Sequence, residues 1–145
     1  MEIRRTEQAV YDLKYHLVWI PKYRKHVLTA VIAGYLKEVF NRIAEEYGFA
    51  IDTIEVVKDH VHIFLKARPR HIPAEVVQIM KRISGRELFK RFPKIKKQLW
   101  AGELWNEAFF VRSVRGKVTA DIIRTHIEYQ YYEDNPSQLI MFEKS

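Results

Sequence analysis

Apolar residues in this chain switch between two spacings in a set succession, and that succession restricts the fold more than any other feature. From Tyr11 to Pro21, the residues Tyr11, Leu13, Tyr15, Leu17 and Trp19 fall on every second position, the pattern of a β-strand. Leu17–Ile20 is continuously apolar, which predicts a central strand covered on both faces, and Pro21 ends it because proline cannot donate to a ladder. From His26 to Tyr47 the spacing becomes helical: Val27, Ala30, Val31, Ala33, Leu36, Val39, Phe40 and Ile43 line one side, and Gly48 stands where a C-terminal cap is expected. Ala50–Val57 and His60–Leu65 read as strands joined by a tight turn at Lys58-Asp59. Pro73–Phe92 reads as a second helix, with Pro73 in its first turn, a bend expected at Gly85 and a stop at Pro93. Ala108–Val114 is a fourth strand, Arg115-Gly116 a turn, and Thr119–Glu133 a last helix with Thr119 or Ser113 as candidate cap. The order β-α-β-β-α-β-α predicts an α+β fold of the ferredoxin-like, split βαβ kind: a four-stranded antiparallel sheet with a helix added at the C-terminus. Such a fold hosts many functions, so function has to be argued from particular residues.

At 145 residues the chain fits one domain, 1–145, with 135–145 read as a tail, and 48% apolar residues suffice for one core. A chain this small keeps much surface relative to its interior, so a homodimer is an economical way to bury more. Twenty-five Lys and Arg against 18 Asp and Glu give a net charge of +7 and a pI near 9.6, a balance that favours an anionic partner. Cysteine is absent, which excludes a disulfide framework, a thiol nucleophile and a cysteine-ligated metal. With no signal-like N-terminus and no apolar run near the roughly 20 residues of a membrane span, the expected location is the cytoplasm.

Asp59-His60-Val61-His62 is the most informative segment. Residues i and i+2 of a strand share a face, so His60 and His62 project side by side while Val61 and Ile63 enter the core. Two neutral imidazoles so placed can hold one divalent cation. Two ligands are too few for a closed structural site, which leaves positions for water or a phosphate oxygen. The plainer alternative is a pair of partly buried histidines with ordinary hydrogen bonds.

On the last helix His126 and Gln130 are four apart and share a face, and Tyr129 flanks it. Gln130 is a candidate third ligand, and a tyrosine hydroxyl aimed at a polarised phosphate is a candidate nucleophile. Tyrosines near a helix end also serve as packing residues with a wet hydroxyl.

Basic residues cluster at Lys81, Arg82, Arg86, Lys90, Arg91, Lys94, Lys96 and Lys97, with Phe89, Phe92 and Trp100 interleaved. Lys22, Arg24 and Lys25 flank Tyr23 after the first strand, and Arg68 and Arg70 follow the histidine strand. Charge that tracks a backbone beside rings that stack on bases suits unpaired nucleic acid, and a solvated helix face is the alternative.

Taken together, Tyr15-His16-Leu17-Val18-Trp19-Ile20-Pro21-Lys22-Tyr23-Arg24-Lys25, Asp59-His60-Val61-His62, Leu104-Trp105 with Phe109-Phe110-Val111, and the final helix to Gln130 resemble the single-tyrosine, HUH-type transposases of the insertion sequence 200/605 family over about residues 10–134. The resemblance implies a ferredoxin-like homodimer with composite sites that cuts and rejoins single-stranded DNA at hairpin-bearing ends through a 5′-phosphotyrosine link. It implies magnesium or manganese on His60, His62 and Gln130. It also implies a tyrosine four residues before that glutamine, where this chain has His126. Tyr129 is then the nearest nucleophile, with Tyr131 or Tyr132 after a register change. Otherwise the chain is a relative that binds single-stranded or hairpin DNA without cutting it. An unrelated metal- or RNA-binding domain of the same fold, stacking bases on Phe109-Phe110-Val111, is the third reading.

Overall fold

The computed structural model describes residues 14–22, 27–68, 71–99 and 103–130, the last without the side chain of Gln130. In chain order the elements are β1 (Lys14–Trp19), α1 (Ala30–Tyr47), β2 (Ala50–Val57), β3 (His60–Lys66), α2 (Pro73–Arg91), α3 (Pro93–Gln98), β4 (Phe110–Val114) and α4 (Lys117–Gln130). The strands form one antiparallel sheet in the order β2-β3-β1-β4. This is the expected split βαβ arrangement, and β1 is indeed central.

Several boundaries move for physical reasons. Helix α1 starts at Ala30 rather than His26 because Thr29 is its cap, its Oγ1 accepting from the Ile32 amide at 3.4 Å. It ends as expected at Gly48, whose φ of 80° is a left-handed conformation that glycine adopts without penalty. Helix α2 runs unbroken through Gly85. Pro93 does not simply stop it: Phe92 leaves the helix, and Pro93, tolerated at a first helical position, opens the short α3. Strand β4 begins at Phe110, two residues late, because the preceding backbone is committed elsewhere. The Ala108 amide donates to Asn106 Oδ1 at 2.9 Å, and the carbonyls of Asn106, Glu107 and Ala108 accept from Lys81 Nζ. Helix α4 begins at Lys117, directly after Gly116 at φ 83°, with the Ala120 amide closing onto the Gly116 carbonyl. Tyr11–Leu13 and residues 131–145, the tail included, lie outside the described residues.

Side-chain alternation divides the molecule into two layers. Leu17, Trp19, Val61, Ile63 and Leu65 point to α1 and α2 and build the main core with Leu36, Phe40, Val77, Met80 and Leu88. Trp19 meets Phe40 and Trp105 edge-on, and the Trp105 indole N–H donates to Ser84 Oγ at 2.8 Å, so this buried donor is satisfied. The opposite sheet face carries a smaller cluster of Phe64 and Val114 under Ala120, Ile123 and Ile127 of α4. Ile122, next to Ile123 on α4, turns outward and is 62% exposed. No helix among the described residues is long and apolar enough to cross a membrane.

Candidate functional site

The second sheet face is where the chemistry gathers. His60 and His62 project to it from alternate positions of β3, as the spacing predicts, and their ring centroids are 4.5 Å apart. Val18 of β1 lies opposite His62 in the ladder, and the neighbouring His16 of β1 points to the same face. Its ring stacks on that of His62 at 5.3 Å, and its Nε2 lies 3.1 Å from His62 Nδ1. His126 descends from α4 to within 5.8 Å of the His62 ring and 6.3 Å of the His16 ring. Phe110 of β4 closes the side nearest His16, edge-on at 6.0 Å.

Four histidines from three elements thus meet under one helix. Sequence reasoning finds His16 only as part of a longer motif. The usable signal is parity, since His16 holds the position on β1 that faces away from Leu17 and Trp19. His16 and His62 are each 6% exposed. Burial is the main reason both stay uncharged: it lowers His62 from 6.5 to about 2, helped by His60, His16 and His126. It lowers His16 to about 4, helped by His126 and Arg112. Neutral imidazole is the form that ligates metal. Asp59, at the turn, places its Oδ1 2.5 Å from His60 Nδ1, while Glu55 of β2 is drawn to Lys37 at 2.7 Å.

The donor set fits an open cation site in its chemistry: two imidazoles side by side, each with its Nδ1 against a neighbour. Among the described residues no group of three or more His, Asp or Glu is placed to hold a metal ion. Gln130 belongs to α4, but its side chain is outside the described set.

Helix α4 is held over this face by ions as well as by Ile123 and Ile127. Arg124 grips Asp52 of β2 with Nε and Nη2 at 2.7 and 2.8 Å and Asp121 with Nη1 at 2.6 Å, and Lys14 adds a bond to Asp52 at 2.8 Å. The Arg124 bond holds the Asp52 carboxyl well below the ordinary range. Tyr129, 39% exposed, sits three residues beyond His126, about 60° around the helix. Tyr131 and Tyr132 are outside the described residues.

The basic helix α2 lies in the other layer, across the sheet from the histidines. Arg82, Arg86 and Lys90 are at its surface. Arg82 and Arg86 line a groove of about 770 Å³ with Phe89, Trp105, Glu103 and Glu107. Lys81 has a different occupation: its ammonium donates to three backbone carbonyls at 2.6, 3.2 and 3.1 Å and sits 5.6 Å from the Phe109 ring. Lys22 is bonded to Glu103 at 2.9 Å; Arg24, Lys25, Arg70 and Trp100 lie outside the described residues.

Comparison with known proteins places this arrangement. The family described as "Transposase IS200 like" matches residues 9–130. The ISDra2 transposase TnpA of Deinococcus radiodurans is 37% identical over 131 residues, covering 90% of this chain and 93% of that protein. The transposase of insertion sequence element IS200 from Salmonella typhimurium is 27% identical over 124 residues, 86% of this chain and 80% of its own length. A Deinococcus radiodurans crystal structure described as a transposase superposes with a TM-score of 0.66 at 37% identity, covering 81% of this chain and 89% of that one. A REP-associated tyrosine transposase bound to a REP hairpin shares the fold, with a TM-score of 0.56 at 16% identity over 83% of this chain and 65% of its own. A match across nearly the whole described sheet, together with its histidine face and closing helix, establishes that the chain belongs to the IS200-like transposase family.

Proposed function

We propose that this transposase acts in the cytoplasm on single-stranded, hairpin-bearing DNA ends, with a divalent cation on His60, His62 and Gln130, and that the hydroxyl of Tyr129 cuts the strand. The observation that carries the reading is the meeting of His60, His62 and His126 on one face beneath α4. When bound, a divalent cation supplies Lewis-acid polarisation of a phosphate oxygen. Imidazole donors suit manganese better than magnesium, which prefers oxygen. The tyrosine oxygen forms a bond to phosphorus as the 3′-side oxygen leaves with a proton, giving a 5′-phosphotyrosine and a free 3′-hydroxyl; rejoining reverses the step. Arg82, Arg86 and Lys90, with Lys22, Arg24 and Lys25, hold the DNA backbone. A relative bound to a hairpin supports this class of partner.

One observation favours a second reading, binding without cleavage. The side chain that α4 aims at the histidine pair is His126, where the family pattern has tyrosine, and Tyr129 lies on an adjacent stripe of the helix. One experiment separates the two: incubation with a single-stranded element end and manganese, read on a denaturing gel. A covalent protein–DNA adduct that disappears in Tyr129→Phe supports cleavage. Salt-sensitive binding with no adduct supports the second reading, and no DNA affinity at low salt overturns both.

The chain is further proposed to be a homodimer. Strand β4 is an edge of the sheet, with Phe110 52% and Val111 40% exposed, and Val118 and Ile122 stand out from α4 at 75% and 62%. A second copy adding its own β4 would pair that edge. In the single chain α4 covers its own histidines; composite sites would need it to cover the partner's.

A further inference from the structure

His16 is buried, lies outside the proposed ligand set, and touches it at one atom. Its Nε2 and the Nδ1 of His62 are 3.1 Å apart, and a hydrogen bond between two neutral imidazole nitrogens at that distance holds a single proton. Two arrangements satisfy it, with opposite consequences. If His62 donates from Nδ1, its Nε2 keeps a lone pair that can face a cation. If His16 donates, His62 carries its proton on Nε2 and that nitrogen cannot ligate.

The proposed cation site and the neighbouring ring choose between them: a ligating His62 needs the lone pair on its Nε2, so its proton belongs on Nδ1, facing His16. His60 repeats the pattern beside it. Its Nδ1 lies against the carboxylate oxygen of Asp59, which can only accept, so His60 donates from Nδ1. Metal-bound histidines characteristically spend their second nitrogen in this way on an acceptor that fixes tautomer and ring orientation.

We infer that His16 is a positioning residue: its Nε2 accepts the Nδ1 proton of His62 and holds that ring with its Nε2 lone pair toward the cation site, as Asp59 does for His60. The inference rests on the proposed cation site, but its first test does not. Strand β1 suits the task, because β3 and β4 pair with it on both sides and the acceptor cannot shift without the sheet.

Long-range proton–nitrogen NMR on the metal-free, histidine-labelled protein reads the tautomer directly. The expected result is His62 protonated on Nδ1 in the wild type and a mixture of tautomers in His16→Phe. In manganese titrations of the folded proteins, His16→Phe should weaken binding about 10–100-fold, and His16→Gln, whose amide oxygen can stand in as acceptor, only about threefold. A wild-type His62 protonated on Nε2 overturns the inference whether or not any variant folds. So does a folded His16→Phe that binds manganese as the wild type does. A wild type that takes up no manganese defeats the proposed cation site, while the tautomer still decides the role of His16.

Discussion

Arg124 on the closing helix and Asp52 on the edge strand β2 are joined by two parallel bonds of 2.7 and 2.8 Å, so the helix bearing His126 is tied to the far edge of the sheet it covers. Two-pronged guanidinium–carboxylate pairs fix geometry as well as adding energy. Arg124→Ala should therefore loosen α4 selectively. The expected outcome is a global stability loss of only about 1 kcal/mol, since the pair is partly exposed. Amide exchange in 117–130 should speed up well beyond that in β1 and β3. Uniform acceleration across the sheet would show that the tie acts globally instead.

Acid should weaken this protein before its carboxylates titrate. The unfolded chain takes up protons on His16 and His62 below about pH 6.5. Folded His16 resists until about 4 and His62 until about 2, mainly because burial penalises the charge. The unfolded state thus binds more protons in that window, and stability falls as pH falls. Each histidine contributes up to about 1.4 kcal/mol per pH unit. Thermal melts should drop clearly between pH 7 and 5, and less steeply in folded His16→Gln, which has one titrating ring fewer. Equal slopes in the two proteins would refute the assignment to His16.

Lys81 and its neighbours on α2 should separate cleanly. Lys81→Met leaves three carbonyls short of a donor and should cost about 1–3 kcal/mol in urea unfolding. Arg82→Ala with Arg86→Ala should leave stability nearly unchanged. That pair should instead lower single-stranded DNA affinity and flatten the log–log salt slope by about 0.7 for each phosphate no longer neutralised. DNA binding that depends on Lys81 at unchanged fold would contradict this division.

Association through β4 is tested at Val111, which is exposed and belongs to no core cluster. Val111→Lys puts a charge on the pairing edge and should shift a dimer to monomer in sedimentation, with the melting temperature at low concentration little changed. A dimer that survives the substitution would place the interface elsewhere.

The sheet and its histidine pair are legible in the sequence because both depend on alternation, and alternation is a local property. Spacing alone puts Leu17, Trp19, Val61 and Ile63 on one face, where the structure has them. The joining of His16 to His62 is not legible, since it follows from the pairing register of strands 46 residues apart. The internal use of Lys81 is hidden for the same reason. Its place in a basic run suggests a solvated or DNA-facing side chain, and only the folding back of residues 106–108 gives it carbonyls to hold. That same loop takes the first residues expected of β4. Ile122 sits at the border of an apolar stripe, where one helical step decides whether a residue turns in or out.

The sheet stands between the arginines of α2 and the histidines beneath α4, and this limits the shape of any polymer that could touch both. A straight rod lying on one side would meet either the cations or the imidazoles, not both in the same copy. Only a molecule able to turn a corner, such as a stem continued by a flexible tail, could rest against one surface and bend round the rim to the other.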